Sequence, residues 1–232
     1  MEKTESRLEL ITKYFTDFTP VQLQQLAALD DLYREWNSKI NVISRKDIDS
    51  LYEKHVLHSL SIAATFEFEK ENEIIDIGTG GGFPGIPLAI FFPDVHFHLV
   101  DSIGKKIKVV EAIASSIGLS NLTTQHIRAE EIKKRQFDYV LSRAVAPLKE
   151  LWRWSKPLLR KKDDSWQMTV ERPGSVNRQL SSVNGLICLK GGDMALEISE
   201  SGTRPQIVEI YDIFPEEYFK EKFIVYLPYP NK

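Results

Sequence analysis

Asp76 and Asp101 are the two carboxylates around which a site can be built. Asp76 lies in the run Ile74-Ile75-Asp76-Ile77, and Gly78, Gly80, Gly81 and Gly82 follow before Phe83-Pro84-Gly85-Ile86. The three isoleucines suit a central strand of a covered sheet. The glycines allow turns that side chains forbid, and Pro84 fits the first turn of a helix. Strand, glycine turn and helix start form the cofactor cradle of open α/β sheets. The dinucleotide spacing G-x-G-x-x-G fails, because Phe83 stands where the third glycine belongs. The Lys-Ser/Thr pair of a triphosphate-binding loop is also missing. A carboxylate at Asp76 is a poor neighbour for a pyrophosphate, but it suits a ligand ammonium, met directly or through water. Asp101 ends the next apolar run, His96 to Val100, 25 positions after Asp76. A carboxylate there can accept both hydrogen bonds of a ribose diol, or it can cap the following helix. Arg128-Ala129-Glu130 follows a third such run and Arg143 a fourth. An amino acid near Asp76, a ribose at Asp101 and a base near Ala129 and Glu130 together describe S-adenosyl-L-methionine better than a dinucleotide. A nicotinamide enzyme remains the lesser alternative.

These residues need a sheet to hold them on one edge. Strands are expected at 73–77, 96–100, 122–126, 137–142, 185–190, 206–213 and 222–227. Helices are expected at 84–92, 104–117, 129–134, 147–160 and 193–200. This alternation predicts an α/β fold with a mostly parallel, doubly wound sheet of seven strands, a hairpin finishing one edge. Before it, residues 1–68 read as an N-terminal helical extension, leaving 69–232 as the main domain. Thr19, Pro20 and Gln22 match a capping box. Leu26, Leu29, Tyr33, Trp36 and Ile40 then recur at helical spacing, an apolar stripe expected to pack on the core. Asp47 is a candidate cap for a second helix carrying His55 and His58. Those two are expected at a cap or core edge, with His55 able to face the cleft. The polar stretch 163–184, with Pro173-Gly174, reads as an inserted loop or hairpin.

The 232 residues are 42% hydrophobic and 27% charged, as in ordinary globular proteins. The lone Cys188 excludes a disulfide framework and fits a reducing, cytoplasmic setting. No stretch approaches the roughly 18 apolar residues of a membrane span. Charges interrupt the N-terminal run MEKTESRLEL where a signal peptide would be apolar. His96 and His98 share a strand face without a third ligand in view, so no metal site is expected. A monomer is expected. The net charge of -3 argues mildly against nucleic acid, but its distribution does not: residues 1–100 carry -7, residues 101–190 carry +8 and residues 191–232 carry -4. A basic middle can concentrate positive potential on one side of a fold.

The chain resembles the ribosomal RNA small subunit methyltransferase G family, also called glucose-inhibited division protein B. The resemblance rests on Asn41-Val42-Ile43, His55-Val56-Leu57-His58-Ser59-Leu60, Asp76 to Ile86, Leu99-Val100-Asp101-Ser102 with Gly104-Lys105-Lys106, Arg128 to Glu131, Ser142-Arg143-Ala144 and Leu189-Lys190-Gly191. It implies a class I S-adenosylmethionine-dependent methyltransferase fold, Rossmann-like. It also implies methyl transfer to N7 of one guanine, guanine 527, in 16S ribosomal RNA, free or within an assembling small subunit. The family's cofactor positions match Gly78, Phe83, Ala129, Glu130 and Arg143 here. Gly80, Gly82, Asp76 and Asp101 complete the candidate cofactor set. The segment 163–184 departs from the family pattern.

Guanine N7 carries an in-plane lone pair and no proton, so attack on a sulfonium methyl needs alignment and no general base. Arg143 is the candidate positioning residue. Lys105, Lys106, Arg128 and Lys190 are candidate RNA contacts, Lys190 foremost because it ends a strand at the cleft edge. Another RNA, a protein or a small molecule remain alternative acceptors, and a non-catalytic assembly factor an alternative role.

Overall fold

The computed structural model describes residues 8–143, 145–161 and 183–229. Seven strands make one sheet: β1 (Glu73–Ile77), β2 (His96–Asp101), β3 (Leu122–His126), β4 (Tyr139–Arg143), β5 (Gly185–Gly191), β6 (Gln206–Glu209) and β7 (Lys222–Pro228). Their order is β3-β2-β1-β4-β5-β7-β6. The first five are parallel, while β7 runs antiparallel between β5 and β6. Strand order reverses between β1 and β4, so the crevice beyond their carboxyl ends is the expected ligand position.

Both faces of the sheet are covered, and side chains alternate between two cores as the pleat requires. Ile74, Leu99, Leu141 and Ile187 face one core; Ile75, Val100, Val140 and Leu186 face the other. The first core is closed by α1 (Pro20–Lys39), by a π-helical turn (Tyr52–Leu57) running into α2 (His58–Leu60), and by α3 (Gly85–Phe91) and α4 (Gly104–Ser116). The second is closed by α5 (Leu148–Ser155), with α6 (Ala195–Ser201) beside it. The expected stripe on α1 buries Leu26, Leu29 and Tyr33 in the first core. The capping box is formed: Thr19 Oγ1 accepts from the Gln22 amide, and Gln22 Oε1 accepts from the Thr19 amide. Gln22 Nε2 also donates to the carbonyls of Ile90 and Phe91 at the end of α3, which locks α1 onto the sheet cover.

Four expectations are corrected. The helix placed at 129–134 is a single 3-10 turn, Ala129–Glu131, because Ile132 is the segment's only large apolar side chain. The helix placed at 147–160 stops at Ser155 and tightens to a 3-10 turn over Lys156–Leu158, where Pro157 brings no amide hydrogen. The strand placed at 206–213 ends at Glu209, and Ile210 turns inward to join Phe214 and Phe219 in the core. Asp47 caps no helix through its side chain and instead holds the Lys54 ammonium at 2.7 Å. Most of the segment 163–184 lies outside the described residues. No helix among the described residues is long and apolar enough to cross a membrane.

Candidate active site

Two faces of packing shape the turn after β1. Gly78, Gly80 and Gly82 all adopt positive φ, at 67°, 60° and 95°. A Cβ on Gly78 would lie 2.6 Å from Val145, whereas one on Gly80 would meet no protein atom within 4 Å. Gly80 therefore opens onto a space that a ligand can fill. The turn is braced from α1, because the Tyr33 hydroxyl donates to the Gly81 carbonyl at 2.6 Å and its ring stacks on Phe83 at 4.8 Å. Asn37 binds the backbone of Val42 and Ile43, holding Val42 against Gly81. The helical extension thus forms part of the site's wall.

Asp76 is fully buried and lines neither of the two cavities bordering the turn. Its Oδ2 accepts from the Thr79 hydroxyl at 2.6 Å and from the Gly85 amide at 3.1 Å, tying the turn to the start of α3. Its Oδ1 has no partner among the described residues. Burial pushes this carboxyl up to about 6, against the lowering effect of those two hydrogen bonds.

Asp101 stands at the junction of two adjoining cavities. Its Oδ2 accepts from the Gly80 amide at 2.9 Å and its Oδ1 from the Ile103 amide at 2.8 Å. A carboxylate oxygen has a second lone pair, so both can still receive a diol. One cavity, of about 140 Å³, lies between Ile77, Asp101, Ile127, Ala129, Glu130 and Trp154. Its apolar walls and the carboxylate of Asp101 suit a nucleoside. The other, of about 350 Å³, lies over Gly78 to Gly81 and reaches Phe83, Lys106 and Arg143. Together the two cavities fit a nucleoside with a charged amino-acid tail.

Arg143, at the end of β4, also lines a third cavity of about 650 Å³, shared with Lys54, His55, His58, Tyr218 and Lys222. Its guanidinium lies over the Phe83 ring, 5.1 Å from the centre, and donates a long 3.5 Å contact to the Lys54 carbonyl. The cavity over the glycine turn and this outer cavity therefore meet at Arg143. The position of His55 and His58 on this wall, with the cationic Lys54 and Lys222 and Tyr218, was missed by sequence reasoning except for the possibility at His55. The signal was weak: two histidines three apart, brought to the cavity by a π-helical turn that no spacing rule announces.

The candidate RNA contacts separate. Lys106 lines the cavity over the glycine turn and Arg128 the smaller adjoining cavity, while Lys105 is exposed on α4 without reaching either. Lys190 borders the third cavity, but its ammonium is taken up by protein partners. It is 8% exposed, and its ammonium is held by Glu197 and by the Ala146 carbonyl, each at 2.6 Å. Glu197 also accepts from the Leu148 amide, so this pair braces the loop between β4 and α5. Other signals are structural. Cys188 is buried, and His98 stacks on Phe137 and contacts Thr123. Among the described residues, no three His, Cys, Asp or Glu side chains gather as a metal site.

Residues 22–206 match the family described as rRNA small subunit methyltransferase G. A protein named ribosomal RNA small subunit methyltransferase G from Parabacteroides distasonis is 49% identical over 224 residues, spanning 96% of this chain and 90% of its own length. Another of that name, from Phocaeicola vulgatus, is 50% identical over 220 residues, spanning 95% and 98%. Among solved structures, MtNAS in complex with MTA and tNA superposes with a TM-score of 0.58 at 12% identity, covering 91% of this chain and 75% of that one, a likeness of fold alone. With most of its length matched at such identity, the chain belongs to the rRNA small subunit methyltransferase G family.

Proposed function

We propose that this chain transfers the methyl group of S-adenosyl-L-methionine to N7 of one guanine, guanine 527, in 16S ribosomal RNA. The reading is carried by one observation: the cavity over the glycine turn and the larger cationic cavity share a single wall residue, Arg143. The bound cofactor supplies a methyl group on a sulfonium, an electrophile that needs no further activation. The protein's contribution is position. Asp101 receives the ribose hydroxyls, Ile77, Ile127 and Trp154 enclose the base, and the turn from Gly78 to Gly81 receives the amino-acid tail. Asp76 acts through the turn it ties to α3. Arg143 holds the acceptor beside the donor cavity, and no side chain has to remove a proton, because N7 carries none. Aligning two reactants in this way supplies several kcal/mol of the barrier reduction.

The acceptor chemistry is tested with tritiated S-adenosylmethionine, using small subunits and deproteinised 16S RNA from a strain lacking the modification. Label recovered as 7-methylguanosine supports the reading, and the productive substrate separates free RNA from an assembling subunit. Label in another nucleoside, in protein, or nowhere would overturn it.

A further inference from the structure

The cavity beyond Arg143 contains polar groups that the protein leaves unmet. Both ring nitrogens of His55, and one of His58, are shielded from solvent without a hydrogen-bond partner among the described residues, and His58 is only 5% exposed. The other His58 nitrogen has the Lys54 backbone carbonyl as its partner, which also receives Arg143 and the Tyr218 hydroxyl. A buried polar group without a partner costs about 1–3 kcal/mol, so two such imidazoles on one cavity suit a ligand that meets them. Burial first, and then the charge of Arg143, pushes both rings down to about 3. Each is a neutral imidazole at ordinary pH, with one N–H donor and one bare nitrogen acceptor. Around them stand Arg143 and Lys222, with Lys54 paired to Asp47 and the Lys190 ammonium paired to Glu197. A space of about 650 Å³ with cationic walls and neutral hydrogen-bonding groups fits a nucleotide.

We propose that this cavity receives the acceptor guanine, lifted out of the RNA stack, and that His58 accepts a hydrogen bond from its N1–H. The proposal rests on the guanine-N7 reading above and names the residue that recognises the base. Geometry orders the contacts. N7 and O6 share one edge of guanine, and N7 must face the donor cavity. Arg143 lies on that side and is the natural donor to O6. His55 lies there too, its ring 5.1 Å from Phe83. His58 is set one turn further along, 5.8 Å from both Tyr218 and Phe219, on the side away from Phe83 that is left for the N1–H edge.

The chemistry favours the same arrangement. As the bond from N7 to the methyl carbon forms and the carbon–sulfur bond breaks, its electron pair returns to sulfur and the purine becomes cationic. N1–H becomes more acidic, and its hydrogen bond to a neutral imidazole strengthens in the transition state, which is where an interaction raises the rate. A protonated ring would instead repel the developing charge. Taking the base out of the stack gives access to the pocket, as other enzymes acting on bases require.

The test compares 16S RNA carrying guanosine at the acceptor position with the same RNA carrying 1-deazaguanosine, which keeps N7 and the oxygen at C6 and puts C–H in place of N1–H. Wild-type enzyme is expected to be about 10–100-fold slower on the second RNA, the cost of leaving a buried acceptor unpaired. His58→Phe, similar in bulk and without an acceptor, should lose a comparable factor on guanosine RNA and no longer distinguish the two. His58→Asn, which restores a carbonyl acceptor, should recover part of the loss and keeps the test open if the Phe variant folds poorly. S-adenosylmethionine affinity by calorimetry should stay within about twofold throughout. Undiminished discrimination in the variants, or a loss of cofactor affinity matching the loss of rate, would overturn the assignment. A wild-type enzyme inert on guanosine RNA would instead refute the functional reading, and that result is visible before any variant is made.

Discussion

The two spaces that meet at Arg143 are built in opposite ways. The donor side is made of backbone: a turn at Gly78, Gly80 and Gly82 with positive φ, amides given to Asp101, and a carbonyl pinned by Tyr33. Its parts come from one short run of sequence and the two strand ends beside it. The far side is made of side chains from distant segments: Lys54, His55 and His58 before the sheet, Arg143 in β4, and Tyr218 and Lys222 near the end of the chain. A backbone cradle needs only residue types that permit a conformation, and it recurs wherever that conformation is useful. A side-chain pocket is specified by which chemical groups converge. On the proposed reading, the first region holds the cofactor and the second chooses the acceptor.

Arg143 belongs to both, so replacing it should have the largest effect. Arg143→Ala is expected to lower kcat/KM for RNA by about 10²–10³-fold, the scale of losing a positioned electrostatic group. Cofactor affinity, measured by calorimetry, should fall far less. Equal losses in both would place Arg143 wholly on the donor side.

Lys190 distinguishes a brace from an RNA contact. Lys190→Met removes the partner of the half-buried Glu197 and should cost about 3 kcal/mol of stability, read by denaturant unfolding. The salt dependence of RNA binding should be unchanged, since a phosphate contact would have contributed to its slope. A shallower slope with intact stability would restore Lys190 to the RNA surface.

Asp76 offers a pH test of the donor side. Its carboxyl titrates at about 6 in the folded chain, against an ordinary value of 3.8. A raised carboxyl favours the folded state while it is protonated, so that contribution is fully present below 3.8 and is lost as pH rises through about 6. The carboxamide introduced by Asp76→Asn does not titrate. The stability of that variant relative to wild type should therefore rise by about 3 kcal/mol between pH 3.8 and 6 and level off above. A difference independent of pH would show that the buried carboxyl is not strained in this way. The smallest effect is expected from Gly78→Ala, which adds a methyl group against Val145 at a residue with φ of 67°. It should weaken cofactor binding by about tenfold at a stability cost near ~1 kcal/mol. Weakened RNA binding with normal cofactor affinity would break the division between the regions.

The same division explains what could be read before the fold was known. The seven strands, the order of helices and the glycine turn follow from alternating apolar runs and from glycine's freedom at positive φ. The capping box of α1 was legible because Thr19, Pro20 and Gln22 are local in sequence. Asp101 was legible because it ends a strand beside the first. Asp76 was found in sequence, but its direction was not: the strand pleat and the tight turn draw its carboxylate inward to Thr79 and Gly85. The ion pair of Lys190 was not legible for a similar reason, since its partner Glu197 sits on a later helix whose packing no local pattern reveals. His55 and His58 were visible only as a spacing. Their cavity exists because a π-helical turn, the end of β4 and the residues before β7 come together in three dimensions.

The central claim is that one guanine of 16S RNA is methylated at N7 where these regions meet. Borohydride–aniline treatment breaks RNA at 7-methylguanosine, so it can map the product in a strain that lacks the modification and expresses this chain. Chain scission is expected at a single guanine, guanine 527, with wild-type protein, and its near absence with Arg143→Ala. Scission at other guanines, or none with abundant folded wild-type protein, would contradict it.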